Sequence, residues 1–275
     1  MALFAAMFVA PLAYALYLSL FREQLVGGTV FVGLANYGEA FSDPEFLSGI
    51  GRMARFLAFQ VPIMLGLALV FALVLDSGRL GAPRVFRLGI FVPYAVPSVV
   101  AALMWGYLYG PSFGPFTQVA EELDLPPPAF LGSGTMLASM ANVVTWEYTG
   151  YNMLILYAAL RAVPGELYEA AAVDGAGPFR TAWHIKLPLL RPALLLTLIF
   201  SVIGTFQLFN EPQILRELSP SVIGRSYTPN LYAYSLAFTD QRLNYAAAIS
   251  FVLGFVILLV SSTVVLVASR RRARS

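Results

Sequence analysis

Cysteine is absent from all 275 residues, histidine and lysine occur once each, and charged residues of both signs together reach only 12%. The first absence excludes disulfides, thiolate metal sites and cysteine nucleophiles. The lone His184 has no evident metal partners and no catalytic cluster around it in the sequence, which leaves a membrane enzyme little to be built from. The lone Lys186 follows Ile185 and precedes Leu187, whereas a phosphate-binding loop needs Gly-Lys before Ser or Thr, so ATP is not bound by this chain. The shortage of charge, against roughly 25% in soluble domains, is matched by what is abundant. Hydrophobic residues make up 59%, aromatics 14%, and mean hydropathy is +0.74. Lipid is the main solvent of such a chain.

An α-helix needs about 20 apolar residues to cross a hydrocarbon core of about 30 Å. Six runs approach or reach that length: Ala2–Phe21, Phe56–Leu75, Phe86–Tyr109, Met136–Leu160, Pro192–Phe209 and Tyr245–Ala268. The fourth is weakened by Glu147 and the fifth is short at its outer end. A transmembrane β-barrel would show alternating segments of about 10 residues, which are not seen. The first run could also be read as a signal peptide. It lacks a basic leading region and a clear cleavage site, and it exceeds the length of a signal core, so a retained first helix is expected. The expected fold is all-α and integral to the membrane, one domain of six spans.

Basic residues are retained on the cytoplasmic side. With both termini inside, the cytoplasmic segments hold Arg79, Arg84, Arg87, Arg161, Arg180, Lys186, Arg191 and the tail Arg270, Arg271, Arg272 and Arg274, which anchors against anionic lipid. Outside lie most acids, among them Glu39, Asp43, Glu45, Glu121, Glu122, Glu211 and Asp240.

That orientation puts the polar stretch Glu169–Gly177, EAAAVDGAG, in the cytoplasm. Pro164 suits a first helical turn, and Glu166 suits the positive end of the helix dipole. Gly175 after Asp174 is a left-handed stop. A second helix starts at Pro178, pairs Phe179 with Trp183 at i, i+4, and ends before Pro188. Ala170, Ala171 and Ala172 leave a low face that another protein surface can approach. An ordinary solvated loop is the alternative.

Polar groups deep in a membrane usually face a cavity. Tyr94 with Ser98, Glu147 with Tyr151, and Ser201 with Thr205 are i, i+4 pairs, each on one helix face. Glu147 admits two readings, a carboxylate paired inside the bundle or a contact to substrate. Pro93 and Pro97 permit a bend in the third span.

The run EAAAVDGAGPFRTAWHIKLPLLRP resembles the EAA loop of the membrane subunits of binding-protein-dependent ABC importers, through Glu169, Ala170, Ala171, Gly175, Ile185, Leu187 and Pro188. The stretches VPYAVPSVV, YGPSFGPF, WEYTGYNMLILYAALRAVPGELYEAA and TFQLFNEPQIL resemble the MalF-like permeases of carbohydrate importers. Two departures are Trp183, where many members carry Phe, and the lack of a basic segment before the first span. The resemblance implies a type I ABC importer permease fold with a coupling loop at 161–191. Glu169, Ala170, Ala171, Asp174, Gly175, Phe179 and Trp183 would then dock a cytoplasmic ATPase, with Glu169 facing a basic group. Laying on the maltose-type pattern implies a sugar route along Tyr94, Ser98, Glu147, Tyr148, Tyr151, Ser201, Gly204 and Thr205. The implied partners are a second, MalG-like permease, an ABC ATPase dimer that binds ATP and Mg, an extracytoplasmic solute-binding protein, a carbohydrate and membrane lipid. The implied location is the bacterial inner membrane. A secondary transporter or channel without an ATPase is the rival reading; it would need its own ion site, and only Glu147 is both ionisable and deep.

Overall fold

The computed structural model describes residues 1–24, 27–78 and 80–272, so Arg79 and Arg274 of the charge reading lie outside the described residues. The chain divides into two compact units, residues 1–55 with 203–263 and residues 56–202 with 264–275. Helix dominates both.

By length and composition three described helices can each cross a membrane: Pro44–Asp76, Pro178–Phe206 and Leu243–Val267. A fourth crossing is available if Pro83–Ala95 and Ser98–Leu108, bent by 96°, count as one broken span. Two expected spans fall on weaker helices. Residues 2–19 include the shorter apolar helix Ala5–Ser19. Met136–Arg161 is 26 residues long but carries Asn142, Thr145, Glu147, Thr149 and Asn152 along its length. Helix Pro44–Asp76, at 33 residues, extends about 50 Å at 1.5 Å per residue, longer than a hydrocarbon core of about 30 Å.

In the first unit the helix of residues 2–19 runs into a hairpin, Phe21–Gln24 paired antiparallel with Gly28–Phe31. Phe21 stands opposite Phe31, their rings 5.3 Å apart. Asn36, fully buried on helix Ala35–Ser42, donates to the carbonyls of Ser19 at 2.9 Å and Phe21 at 2.8 Å, closing the helix end that the hairpin leaves open. Arg22 reaches Asn36 Oδ1 and Glu39, and Glu39 also receives Arg242 at 2.8 Å.

Asp43 is the main junction of this unit. One carboxylate oxygen accepts from the backbone N–H groups of Glu45 at 2.9 Å and Phe46 at 3.3 Å, capping helix Pro44–Asp76. The other accepts from the hydroxyls of Tyr232 at 2.7 Å and Tyr245 at 2.8 Å. Four donors from three segments converge on one side chain. Burial pushes the Asp43 carboxyl up, but the Tyr232 and Tyr245 hydroxyls and the two backbone N–H groups outweigh it and hold it below its ordinary value.

The second unit is built on a buried apolar cluster of Ala68, Ala72, Leu75, Met153, Leu156, Leu160 and Leu190. These come from helices Pro44–Asp76, Met136–Arg161 and Pro178–Phe206.

Replacing Asp43 by Ala removes a helix cap and the acceptor of two hydroxyls, and is expected to cost about 2–4 kcal/mol. Because the folded carboxyl titrates below the unfolded one, its stabilisation is complete above the ordinary value of 3.8 and is lost as pH falls through the depressed folded value. Thermal melts of detergent-solubilised protein should show a gap between wild type and Asp43→Ala that is constant at neutral pH and narrows only in strong acid. A gap that closes near neutrality would contradict the assignment.

Candidate functional site

The loop at 161–191 folds as two helices joined by a turn. Pro164 is extended, with ψ 134°, and caps helix Gly165–Val173 from just outside its first turn. This shifts the expected position by one residue, since proline's fixed φ suits both conformations and only ψ separates them. Glu166 lies in the first turn as expected. At the other end Gly175 has φ +73°. Its N–H reaches Ala172 O at 3.0 Å and the N–H of Ala176 reaches Ala171 O at 2.9 Å, the paired bonds of a Schellman ending. Ala171 is buried, while Glu169, Ala170, Ala172 and Asp174 are exposed, so the alanine run presents two of its three members to the surface.

Pro178 opens the next helix, and Phe179 stacks on Trp183 with ring centres 6.4 Å apart and planes at 11°. Both rings are exposed, Phe179 at 81% and Trp183 at 59%, and Val173 nearby in sequence is exposed at 88%. Large apolar groups left open together mark a contact surface. The expected stop before Pro188 does not occur, and the helix continues from Pro178 to Phe206. A π-helical turn over Ala182–Lys186 widens the backbone just ahead of Pro188, and the N–H of Leu187 reaches back to Ala182 O. The wider turn makes room for the proline ring and for the bond that proline cannot donate.

Lys186 closes this turn and meets Asp76, the last residue of helix Pro44–Asp76, at 2.5 Å. The side chains are 14% and 5% exposed. Lys186 Nζ also lies 4.9 Å from the centre of the Tyr168 ring on the preceding helix. Sequence reasoning missed this cluster; its one signal was that the only lysine of the chain falls here.

The residues expected along the route are distributed unequally. Tyr94 stacks on Tyr151, with centres 4.7 Å apart and planes at 18°, and meets Tyr148 edge-on at 5.8 Å. Tyr94 and Tyr148 are 39% and 38% exposed. Glu147 is 3% exposed and does not stand free, although it shares the i, i+4 face of Tyr151 on helix Met136–Arg161. Tyr94 and Ser98 do not share a helix face. Helix Pro83–Ala95 ends before Pro97, which holds Val96 extended, and Ser98 begins the next helix beyond the 96° bend. Pro93 stays inside the first of these helices, so the break belongs to Pro97 alone. On helix Pro178–Phe206, Ser201 donates to Thr197 O at 2.8 Å, Gly204 is exposed and Thr205 is buried. Ser201 belongs to the second compact unit and Gly204 and Thr205 to the first.

The aromatic group depends on one glycine. Helices Pro83–Ala95 and Met136–Arg161 touch at Gly150, where an added Cβ would lie 2.0 Å from Ile90 O. Among the described residues no group of three or more His, Asp or Glu side chains is placed to hold a metal.

Residues 64–275 match the family described as binding-protein-dependent transport system inner membrane component. The arabinooligosaccharides transport system permease protein AraP of Bacillus subtilis (strain 168) is 31% identical over 94% of this chain and 82% of its own length. The trehalose/maltose transport system permease protein MalF of Thermococcus litoralis is 31% identical over 90% of this chain and 86% of its own. The crystal structure of a bacterial ABC transporter involved in the import of the acidic polysaccharide alginate contains a chain that superimposes with a TM-score of 0.84. That match covers 97% of this chain and 91% of that one at 18% identity, a likeness of fold.

Gly150→Ala forces backbone apart at the contact that carries Tyr94 to Tyr148 and Tyr151, and should cost about 1–3 kcal/mol. Gly134→Ala, where an added Cβ meets nothing within 4 Å, is the control. The melting temperature should fall for the first and hold for the second. Equal melting temperatures would remove the close approach.

Proposed function

The chain belongs to the binding-protein-dependent transport system inner membrane components, and from that premise we propose that it forms one half of the sugar route of an ATP-driven importer, coupled to a separate ATPase by the loop at 161–191. As a permease subunit it carries no ATP chemistry of its own; ATP and Mg belong to the partner ATPase dimer. Family membership sets aside the rival reading of a transporter or channel that works without an ATPase.

The observation that carries the coupling role is the exposed stacked pair Phe179 and Trp183, held just past the left-handed turn at Gly175. Glu169, Ala170 and Asp174 are exposed on the preceding helix and its end, where the two acids suit a basic partner, and the buried Ala171 supports that helix from beneath. For the carbohydrate class, the support is the relatives that transport arabinooligosaccharides and trehalose or maltose. Partly exposed tyrosines at 94 and 148 suit the apolar faces of sugar rings. Tyr151, Ser98, Ser201, Gly204 and Thr205 complete the proposed route, and Glu147 lines it from a buried position.

The remaining parts of the reading are a second, MalG-like permease, a solute-binding protein on the outer face, and six crossings with both termini cytoplasmic. The six are residues 2–19, 44–76, the bent pair 83–108, 136–161, 178–206 and 243–267. A solved alginate transporter in complex with an alginate pentasaccharide-bound periplasmic protein supports the outer partner by its fold likeness, at a TM-score of 0.82.

Three measurements test the reading. Mild-detergent purification of the chain with its neighbouring subunits should retain an ATPase; its loss from the intact assembly would contradict the coupling role. Gly175→Val meets open space, so its penalty is backbone strain of about 1–2 kcal/mol, equivalent to about a tenfold loss of correctly docked loop. Binding-protein-stimulated ATP hydrolysis should fall at equal assembly, and unchanged stimulation would remove the turn from coupling. Glu147→Gln should alter the relative uptake of maltose, lactose and arabinose oligomers in reconstituted vesicles at unchanged melting temperature. A uniform decline that follows a lower melting temperature would assign Glu147 to the bundle instead.

A further inference from the structure

Two segments 110 residues apart in sequence meet at one point largely withdrawn from water, with Tyr168 beside it. Asp76 closes helix Pro44–Asp76, Lys186 closes the π-helical turn of the loop, and Tyr168 lies on helix Gly165–Val173. The Asp76–Lys186 contact of 2.5 Å is almost withdrawn from water, and the ammonium stands 4.9 Å from the Tyr168 ring centre. Burial and the Asp76 charge push the Tyr168 hydroxyl up, which keeps the ring neutral beside the pair. The neighbours of each element belong to one apolar cluster: Leu75 precedes Asp76, Leu190 follows Lys186 by one turn, and Leu160 lies in the last turn of the helix that leads into the loop. The acidic residues Glu166, Glu169 and Asp174 of the loop are all exposed and take no part. A buried ion pair resists separation because each charge, once parted from the other, is left in a medium that cannot solvate it. Such a contact transmits displacement and does not absorb it.

We propose that the Asp76–Lys186 pair, packed on the Tyr168 ring, is a rigid joint that passes movement of the loop carrying Phe179 and Trp183 to helix Pro44–Asp76. These are positioning residues, and the proposal rests on the coupling role argued above. The joint stays closed in every nucleotide state. Movement of the loop therefore pulls on the long helix.

Because this chain has no cysteine, one introduced thiol is its only label site, and labelling is read on this subunit after it is separated from its partners. Val99→Cys, just past the bend, exposed and outside the proposed route, is labelled with a water-soluble maleimide in the assembled transporter, without nucleotide and with ATP plus vanadate. In the otherwise unaltered chain the labelling rate should differ about fivefold or more between the two states, the lower range of allosteric coupling. The same cysteine is then placed in the neutral pair Asp76→Asn with Lys186→Met. Removing both charges spares the penalty of a stranded one, so the melting temperature should stay close to that of the parent while the nucleotide response is lost. A full response in the neutral pair overturns the joint and leaves a merely structural contact. No response in the unaltered pair, or no ATPase in the complex, sinks the coupling role and the joint together. Should the neutral pair fail to assemble, the parent complex decides alone. Lys186, the only lysine, should resist amine acylation in both states, and labelling as fast as the terminal amine in either state overturns a closed joint.

Discussion

Every backbone N–H and C=O in hydrocarbon must find its partner within the protein, and this chain carries 18 prolines, each lacking a donor. The way each proline is accommodated shapes the membrane part of the molecule. Pro93 and Pro192 sit within helices, while Pro97 ends one, with Val96 extended before it and a 96° change of direction. Pro188 is accommodated differently, by one widened turn over Ala182–Lys186 that lets the helix run on to Phe206. The same backbone rule thus produces a broken span in one place and a continuous lever in another. The continuous helix joins the loop at 161–191 to the apolar segment that follows without a break.

Charge follows a related constraint. In the first unit acids and bases join into small networks: Arg22 and Arg242 on Glu39, Arg225 on Asp240 and Glu45, and Asp43 beneath two tyrosine hydroxyls. Exposed ion pairs contribute little each, so the junction at Asp43, which also caps a helix, carries more than its neighbours. In the second unit most charges are exposed, and three are withdrawn from water and engaged: Asp76 with Lys186, and Glu147.

Local signals in the sequence were read well where one residue dictates one conformation. Gly175 is left-handed, Glu166 opens its helix, Phe179 stacks on Trp183, and a bend occurs at Pro97. Periodicity failed where a break intervened: Tyr94 and Ser98 are four apart yet lie on different helices. It also failed to separate depth from exposure, because Glu147 and Tyr148 are adjacent and only the packing of neighbouring helices leaves one buried and the other open. The long-range contacts, Asp76 with Lys186 and Gly150 with Ile90, span 110 and 60 residues and leave no periodic trace. Asp43-Pro44-Glu45 did carry a helix-start pattern, a capping acid before proline, that charge counting alone passed over.

The small polar stretch EAAAVDGAG is then best understood by what it leaves uncovered. A docking surface needs affinity and orientation, and the two come from different residues here. Burying two exposed rings such as Phe179 and Trp183 is worth about 1.5–3 kcal/mol each. An exposed ion pair from Glu169 adds about 0–1 kcal/mol. On the proposed coupling role, the rings would supply most of the attraction and the acids would set which partner approaches and in what register. For the rings to be reached, what lies beside them must be low, which alanine and glycine provide. Ala170, Ala172 and Gly175 are exposed and add little side-chain bulk, so on the proposed coupling role the absence of bulk is what lets a partner surface come close to the stretch.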